Sequence, residues 1–340
     1  MSIQDELQAT IDALVQKGKG ILAADESSPT IAKRFKAIDV ESTEENRRAY
    51  RSLILATPGL GEFISGVILF EETLGQRNDD GIMLPTLCAQ QGIVPGIKVD
   101  AGKLALTNAP GDEITHGLDG LELRLKGYKE QGAHFAKWRD VYNITESTPS
   151  RLAIEANAEV LARYAAICQA QGIVPIVEPE VLIDGDHNLS RCVEVSEAVF
   201  HEVFHALHKH HVVLEHMLLK PNMMVPGKQN LQKASPDEVA VQTVRVLRRT
   251  VPAAVPSINF LSGGLTPEEA TANLNAMNRL DPQPWELTFS YGRALQEPAL
   301  HAWKGDSTNA QKTQSALYKR AKLNSAARYG KYTEAMESDN

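Results

Sequence analysis

Eight short apolar stretches recur along this chain, starting roughly 30–45 residues apart, and every gap between them carries at least one helical pattern. They are Gly20–Asp25, Phe63–Phe70, Ile93–Asp100, Ala133–Arg139, Ile173–Glu178, Val212–Lys220, Val255–Ser262 and Trp285–Tyr291. Buried parallel strands read this way, because both faces of the sheet are covered and neither is left for water. The helices carry their own start signals. Thr43-Glu44-Glu45 opens one, and Ser235-Pro236-Asp237-Glu238 and Thr266-Pro267-Glu268-Glu269 open two more with Pro at the first helical position. An Ala-rich helix is expected over Ser150–Gln171, ending at Gly172. Leu7, Ile11, Leu14 and Val15 fall at helical spacing before the first strand.

Eight strands alternating with helices predict an α/β fold, a single (β/α)8 TIM barrel. The barrel is expected over about 18–305, with an extra N-terminal helix before it and a C-terminal helix and tail over about 306–340, as one domain spanning 1–340. A doubly wound open sheet is the competitor. It would want a glycine-rich fingerprint after the first strand, and Asp25-Glu26-Ser27-Ser28-Pro29 offers none. The closing Ser338-Asp339-Asn340 reads as frayed.

Composition narrows the function classes. A net charge of -8 speaks against general nucleic-acid binding, although a local cationic cleft remains compatible with it. Met1-Ser2-Ile3-Gln4-Asp5-Glu6-Leu7 lacks a basic region followed by an apolar one, and no apolar run approaches the ~20 residues of a membrane span. A cytoplasmic protein without membrane partners is expected. Cys88, Cys168 and Cys192 are odd in number and widely spaced, which points to buried thiols rather than disulfides or a metal site.

Chemistry in such a barrel sits at the C-terminal ends of the strands. Here those ends carry Asp25, Lys98, Lys137 with Arg139, Glu178 with Glu180, Lys220, Ser262-Gly263-Gly264, and Gly292-Arg293. Any one such charge could merely solvate a strand end. A convergent ring of them is costly to desolvate and makes a poor stability device. The last two groups fall where these barrels often bind phosphate, with exposed backbone N–H groups and a guanidinium. Lys220 sits at the end of an apolar run, Met217-Leu218-Leu219-Lys220. Lysine is rarely buried without a partner, and a desolvated amine deprotonates more easily and attacks carbonyls. Lys137, two strands away, is a plausible cationic neighbour, and Glu178 on the strand between could shuttle protons. The combination reads as Schiff-base chemistry, with Asp25 available for a hydroxyl proton: a retro-aldol reaction on a phosphorylated ketose.

The motifs that carry these residues also resemble those of a known family. Gly18-Lys19-Gly20-Ile21-Leu22-Ala23-Ala24-Asp25-Glu26-Ser27, Phe135-Ala136-Lys137-Trp138-Arg139 and Ile176-Val177-Glu178-Pro179-Glu180 look like motifs of class I fructose-bisphosphate aldolase. So do Leu218-Leu219-Lys220-Pro221-Asn222-Met223, Phe260-Leu261-Ser262-Gly263-Gly264 and Phe289-Ser290-Tyr291-Gly292-Arg293-Ala294-Leu295. The resemblance implies that Lys220 is the Schiff-base nucleophile, that Lys137 assists as a cation, and that Glu178, supported by Glu180, is the acid and base. It implies that Asp25 takes the hydroxyl proton. Ser262, Gly263, Gly292 and Arg293 would hold one phosphate, with Lys33, Arg34, Lys98 and Arg139 toward the other end. It further implies no cofactor, no metal and a homotetramer acting on phosphorylated sugars in glycolysis and gluconeogenesis. Two features depart from the family pattern. Its eukaryotic members usually end in a Tyr implicated in proton exchange on the enamine, whereas this sequence closes on Tyr332-Thr333-Glu334-Ala335-Met336-Glu337-Ser338-Asp339-Asn340. Tyr332 could substitute only if the tail folds back. Ser28-Pro29-Thr30 also differs from the usual residues of its loop.

A competing signal is His201-Glu202-Val203-Phe204-His205, a literal H-E-x-x-H match to zinc proteases, with His211 near the place of a third ligand. His208 stands where the extended motif requires Gly. Phe200, Val203, Phe204 and Leu207 form an apolar stripe, and the histidines lie on its flank. An outer helix is therefore expected, with at most adventitious metal binding. The other competitors are a transaldolase-like Schiff-base barrel and a non-catalytic scaffold, and the latter has no need of Lys220, Lys137 and Glu178 together.

Overall fold

In the computed structural model of this protein, which describes residues 2–338, the apolar stretches close into a barrel. Among the described residues ten strands form: β1 (Gly20–Ala24), β2 (Ile64–Leu69), β3 (Val94–Lys98), β4 (Lys103–Ala105), β5 (Glu113–Thr115), β6 (Phe135–Tyr142), β7 (Val174–Val181), β8 (Leu218–Leu219), β9 (Ser257–Phe260) and β10 (Glu286–Tyr291). Eight of them make the barrel, in the cyclic order β1-β10-β9-β8-β7-β6-β3-β2, with every pairing parallel. Twelve helices accompany them: α1 (Ile3–Leu14), α2 (Ser28–Lys36), α3 (Glu44–Leu55), α4 (Glu71–Leu74), α5 (Leu84–Gln90), α6 (Leu121–Glu130), α7 (Arg151–Ala170), α8 (Leu189–Lys209), α9 (Pro236–Thr250), α10 (Pro267–Asn278), α11 (Arg293–Trp303) and α12 (Ala310–Arg328). The anticipated caps are in place. Thr43, Ser150, Ser235 and Thr266 each accept a hydrogen bond from the backbone N–H three residues on, and Ser235 and Thr266 complete capping boxes.

Three details depart from the sequence reading. The antiparallel pair β4–β5, between β3 and α6, has no counterpart in it; three-residue strands carry too little periodicity to read. The sixth apolar stretch is a strand only at Leu218–Leu219, because α8 runs to Lys209, His211 takes a positive φ of 54°, and Leu214–His216 is a 3-10 turn. Conversely, β6 and β7 run on to Tyr142 and Val181, beyond their apolar patterns, and pair in unbroken register from Phe135↔Val174 to Tyr142↔Val181. Asp339 and Asn340 of the expected frayed end lie outside the described residues.

Side-chain alternation splits the core in two. Residues such as Leu22, Val67, Ala136, Trp138 and Val177 face the surrounding helices. Ile21, Ala23, Ile68, Phe135, Val174, Ile176 and Leu218 face inward and pack in the lower barrel against Leu7, Ile11 and Leu14 of α1. The extra N-terminal helix is thus the plug of the barrel floor. Its C-terminal turn is held by Ser65 Oγ, which donates to the Leu14 carbonyl at 2.6 Å. Gly96 leaves room for the Phe135 ring: a Cβ there would sit 2.4 Å from ring atoms. Gly96→Val should therefore destabilise the protein by about 1–3 kcal/mol through overpacking, read as a lower midpoint in chemical denaturation. An unchanged midpoint would mean that the barrel floor is looser than this packing implies.

Candidate active site

Above that apolar floor the same inward rows turn polar. On β6 the row runs Phe135, Lys137, Arg139; on β7 it runs Val174, Ile176, Glu178, Glu180; on β8 Leu218 is followed by Lys220. Register aligns the rows. Arg139 pairs with Glu178, and Leu219 pairs with Val177, which sets Lys220 level with Glu178. Lys220 lies one residue past its strand, yet its N–H still donates to the Val177 carbonyl at 2.8 Å.

The result is a chain of charges. Lys220 Nζ lies 3.2 Å from Glu178 Oε1, and Lys137 Nζ lies 3.2 Å from Glu178 Oε2 and 2.8 Å from Asp25 Oδ2. The side chains of Lys220, Lys137 and Glu178 are at most 5% exposed. Although close to Lys137, Glu178 Oε2 receives no well-directed hydrogen bond, so that contact is ionic and the oxygen keeps a lone pair free for a proton. Burial pushes the Asp25 carboxyl up, but the ammonium charges of Lys137 and Lys220 and the hydrogen bond from Lys137 outweigh it and hold the group well below the usual carboxylate range. Burial would lower Lys137, but Asp25, Glu178 and Asp100 more than offset it and keep that amine protonated.

These groups line a cavity of about 300 Å3 at the C-terminal mouth of the barrel. Asp25, Arg34, Lys98, Arg139, Glu180, Ser262, Gly263, Gly292 and Arg293 line it too. Lys98 donates to Asp100 at 2.6 Å, Arg139 is ion-paired with Glu180, and Arg34 with Glu26. Gly263 and Gly264 both take left-handed φ, 41° and 87°, in a turn closed by Leu265 N–H donating to the Ser262 carbonyl at 2.8 Å. Only glycine adopts two such angles in succession at little cost, and the turn presents its backbone to the cavity.

Some sequence expectations fall elsewhere. Lys33 is exposed on α2 and does not line the cavity. The tail does fold back, but Tyr332 packs away from the cavity: its N–H donates to Asn275 Oδ1 at 2.9 Å and its hydroxyl to Glu337 Oε1 at 2.8 Å. It lines a second cavity, of about 580 Å3, with the helix starts of α9 and α10. Ser28-Pro29 opens α2 behind the N-cap Ser27, and Thr30 faces the catalytic cavity. On α8, His201, His205 and His208 are exposed beside the buried Phe200, Val203 and Leu207. Among the described residues no group of three or more His, Cys, Asp or Glu is arranged to hold a metal ion. The three cysteines are buried and unpaired, and burial alone pushes the Cys88 thiol up to about 12.

The sequence reading passed over Glu26, Asp100, Ser290 and Lys228. Glu26 is buried, accepts from Gln296 Nε2 at 2.8 Å and orients Arg34, while Asp100 does the same for Lys98. Ser290 was within reach, since alternation along the eighth stretch faces it inward. Lys228 sits in an irregular loop where no periodic signal exists.

A closed parallel barrel whose mouth holds two buried lysines bridged by a carboxylate, beside a left-handed glycine turn, fits a barrel lyase of the Schiff-base type. The chain belongs to the class-I fructose-bisphosphate aldolase family, whose model matches residues 6–340. It is 53% identical over 333 residues to a probable fructose-bisphosphate aldolase class 1 of Xylella fastidiosa (strain 9a5c), covering 98% of this chain and 99% of that one. It is 54% identical to the cytosolic fructose-bisphosphate aldolase 4 of Arabidopsis thaliana, covering 96% and 84%. The fructose-bisphosphate aldolase of Plasmodium falciparum, solved with TRAP and a small-molecule inhibitor, superposes with a TM-score of 0.96 at 51% identity, covering 97% and 96%.

The Asp25–Lys137 pair carries a pH signature. A carboxyl depressed in the folded state contributes stability that is fully present above its unfolded pKa of about 3.9 and is lost as pH falls through the folded value. The Tm advantage of the wild type over Asp25→Asn should be constant from pH 7 to about 5 and shrink between about pH 4 and 3. An advantage that grows on acidification would contradict the pairing.

Proposed function

We propose that this chain catalyses the reversible aldol cleavage of fructose 1,6-bisphosphate to dihydroxyacetone phosphate and glyceraldehyde 3-phosphate through a Schiff base on Lys220. The observation that carries this reading is the buried Lys220–Glu178 contact of 3.2 Å at the cavity mouth. Glu178 is placed to take the ammonium proton, leaving an amine that adds to the C2 carbonyl. The resulting carbinolamine loses its hydroxyl as water with a proton returned by Glu178, and an iminium forms. The C3–C4 bond then breaks, its electron pair moves into the iminium to give an enamine, and the C4 hydroxyl proton goes to Asp25. Lys137, held protonated, stabilises the charge that develops on oxygen during both steps. The enamine takes up a proton at C3 and hydrolysis frees Lys220. The cationic rim supports binding of a substrate charged at both ends: Ser262, Gly263, Gly292 and Arg293 at one phosphate, and Lys98, Arg139 and Arg34 at the other.

The same reading treats residues 1–340 as one catalytic domain, the assembly as a homotetramer, the mechanism as independent of metal and cofactor, and the setting as glycolysis and gluconeogenesis in the cytoplasm. No helix among the described residues is long and apolar enough to cross a membrane.

Borohydride in the presence of dihydroxyacetone phosphate should inactivate the enzyme covalently, with the adduct on Lys220 by peptide mass spectrometry, while EDTA leaves turnover unaffected. An EDTA-abolished activity without an adduct would sink the Schiff-base reading. Removing a general acid–base typically costs about 10²–10⁴-fold in rate. Glu178→Gln should therefore lower kcat, measured per folded enzyme, by at least about a hundredfold, and retention of kcat would remove Glu178 from the proton transfers.

A further inference from the structure

We propose that Lys228, on the loop after β8, is a further substrate-binding residue that clamps the phosphate held by the Ser262–Gly264 turn. The proposal rests on the aldolase reading above and adds a contact to it. Five of the cations facing the cavity are already matched. Lys137 and Lys220 share Glu178, Lys98 has Asp100, Arg139 has Glu180, and Arg34 has Glu26. Among the described residues, Arg293 has no carboxylate within ion-pair distance, and Lys228 has only Asp184, 3.7 Å away and itself 66% exposed. The two least neutralised cations therefore line the same cavity as the glycine turn.

The Lys228 ammonium lies directly over that turn. A Cβ built on Gly264 would stand 2.6 Å from Nζ and 2.8 Å from Cε, so the missing side chain at position 264 makes room for the lysine. The backbone under Lys228 is fixed. Its N–H donates to the Ile183 carbonyl at 2.8 Å, the neighbouring Gly227 N–H to the His187 carbonyl at 2.8 Å, and the Gln229 N–H to the Gly185 carbonyl at 2.9 Å. These bonds lock the loop after β8 onto the loop after β7. The side chain is 41% exposed and keeps its three N–H donors free of any acceptor within hydrogen-bond distance among the described residues. Such an ammonium, lining the same cavity as the glycine turn and Arg293, has only the exposed Asp184 as a counter-charge until an anion arrives. A phosphoryl dianion offers three oxygens, enough for the turn, Arg293 and Lys228 together.

The phosphate at this turn is the one next to the Schiff-base carbon. Leu261 N–H donates to the Pro221 carbonyl at 3.0 Å, so the turn begins beside the residue that follows Lys220. Dihydroxyacetone phosphate carries that phosphate alone and isolates it. The test is borohydride trapping at graded concentrations of dihydroxyacetone phosphate, with adduct on Lys220 read by mass spectrometry. Lys228→Met should raise the half-saturating concentration about tenfold, as expected for loss of one partly exposed charge-assisted contact, and Lys228→Arg should keep it within about twofold of the wild type. Unphosphorylated dihydroxyacetone should show no comparable shift. An unshifted curve in Lys228→Met, an equal shift with dihydroxyacetone, or an equal loss in Lys228→Arg would each overturn the clamp. Absence of an adduct in the wild type would instead overturn the aldolase reading itself.

Discussion

Two ammonium groups buried at one end of a barrel demand a carboxylate between them, and Glu178 supplies it. Each of its oxygens lies 3.2 Å from a lysine nitrogen, one on β6 and one just past β8. Without it, Lys137 would keep only Asp25, and Lys220 would have no counter-charge within ion-pair distance among the described residues. Uncompensated buried charge costs several kcal/mol per ion even after relaxation, on the order of a domain's whole stability margin. The carboxylate that makes the lysines tolerable is also the group that the proposed mechanism uses to move protons. Stability and chemistry here use the same contact.

That contact depends on features lower in the molecule. Parallel register sets Lys220 level with Glu178 and Lys137 one inward position lower, beside Ile176, and an eight-residue pairing of β6 with β7 holds that arrangement. Register in turn depends on a packed floor, because a one-residue slip would exchange the inward row Phe135-Lys137-Arg139 for Ala136-Trp138-Asp140. The floor is closed by Phe135, Ile176 and Leu218 against α1. The barrel therefore has an apolar lower half that fixes geometry and a charged upper half that uses it. The loops complete the site from outside: Glu26 and Asp100 orient Arg34 and Lys98, and the Ser262–Gly264 turn opens its backbone toward the cavity.

Much of this was legible residue by residue. The alternation within Phe135–Arg139 and Ile176–Glu180 already separated inward from outward side chains, and the capping signals at Thr43, Ser235 and Thr266 marked helix starts where they occur. Lys220 could be singled out because few structural roles suit a lysine closing an apolar strand. The H-E-x-x-H match on α8 was legible as a decoy because the apolar stripe beside it assigned the histidines to the outer flank. Less legible was anything resting on irregular backbone. The β4–β5 pair, the reduction of the sixth strand to two residues and the exposed position of Lys33 rest on short or irregular backbone, and Tyr332 is anchored by Asn275, far from it in sequence.

By itself, then, the sequence determined the barrel, its strand order along the chain, and the main strand-end charges that reach the mouth, because hydrophobic periodicity and helix capping are local and survive in one dimension. Only the tertiary structure decided which of those charges meet. That Glu178 bridges Lys137 and Lys220, that Arg139 and Lys98 are already paired, and that Lys228 lies over Gly264 follow from strand register and from the interlocked loops after β7 and β8. Those are distances across the barrel, set by packing in three dimensions, and no local pattern encodes them.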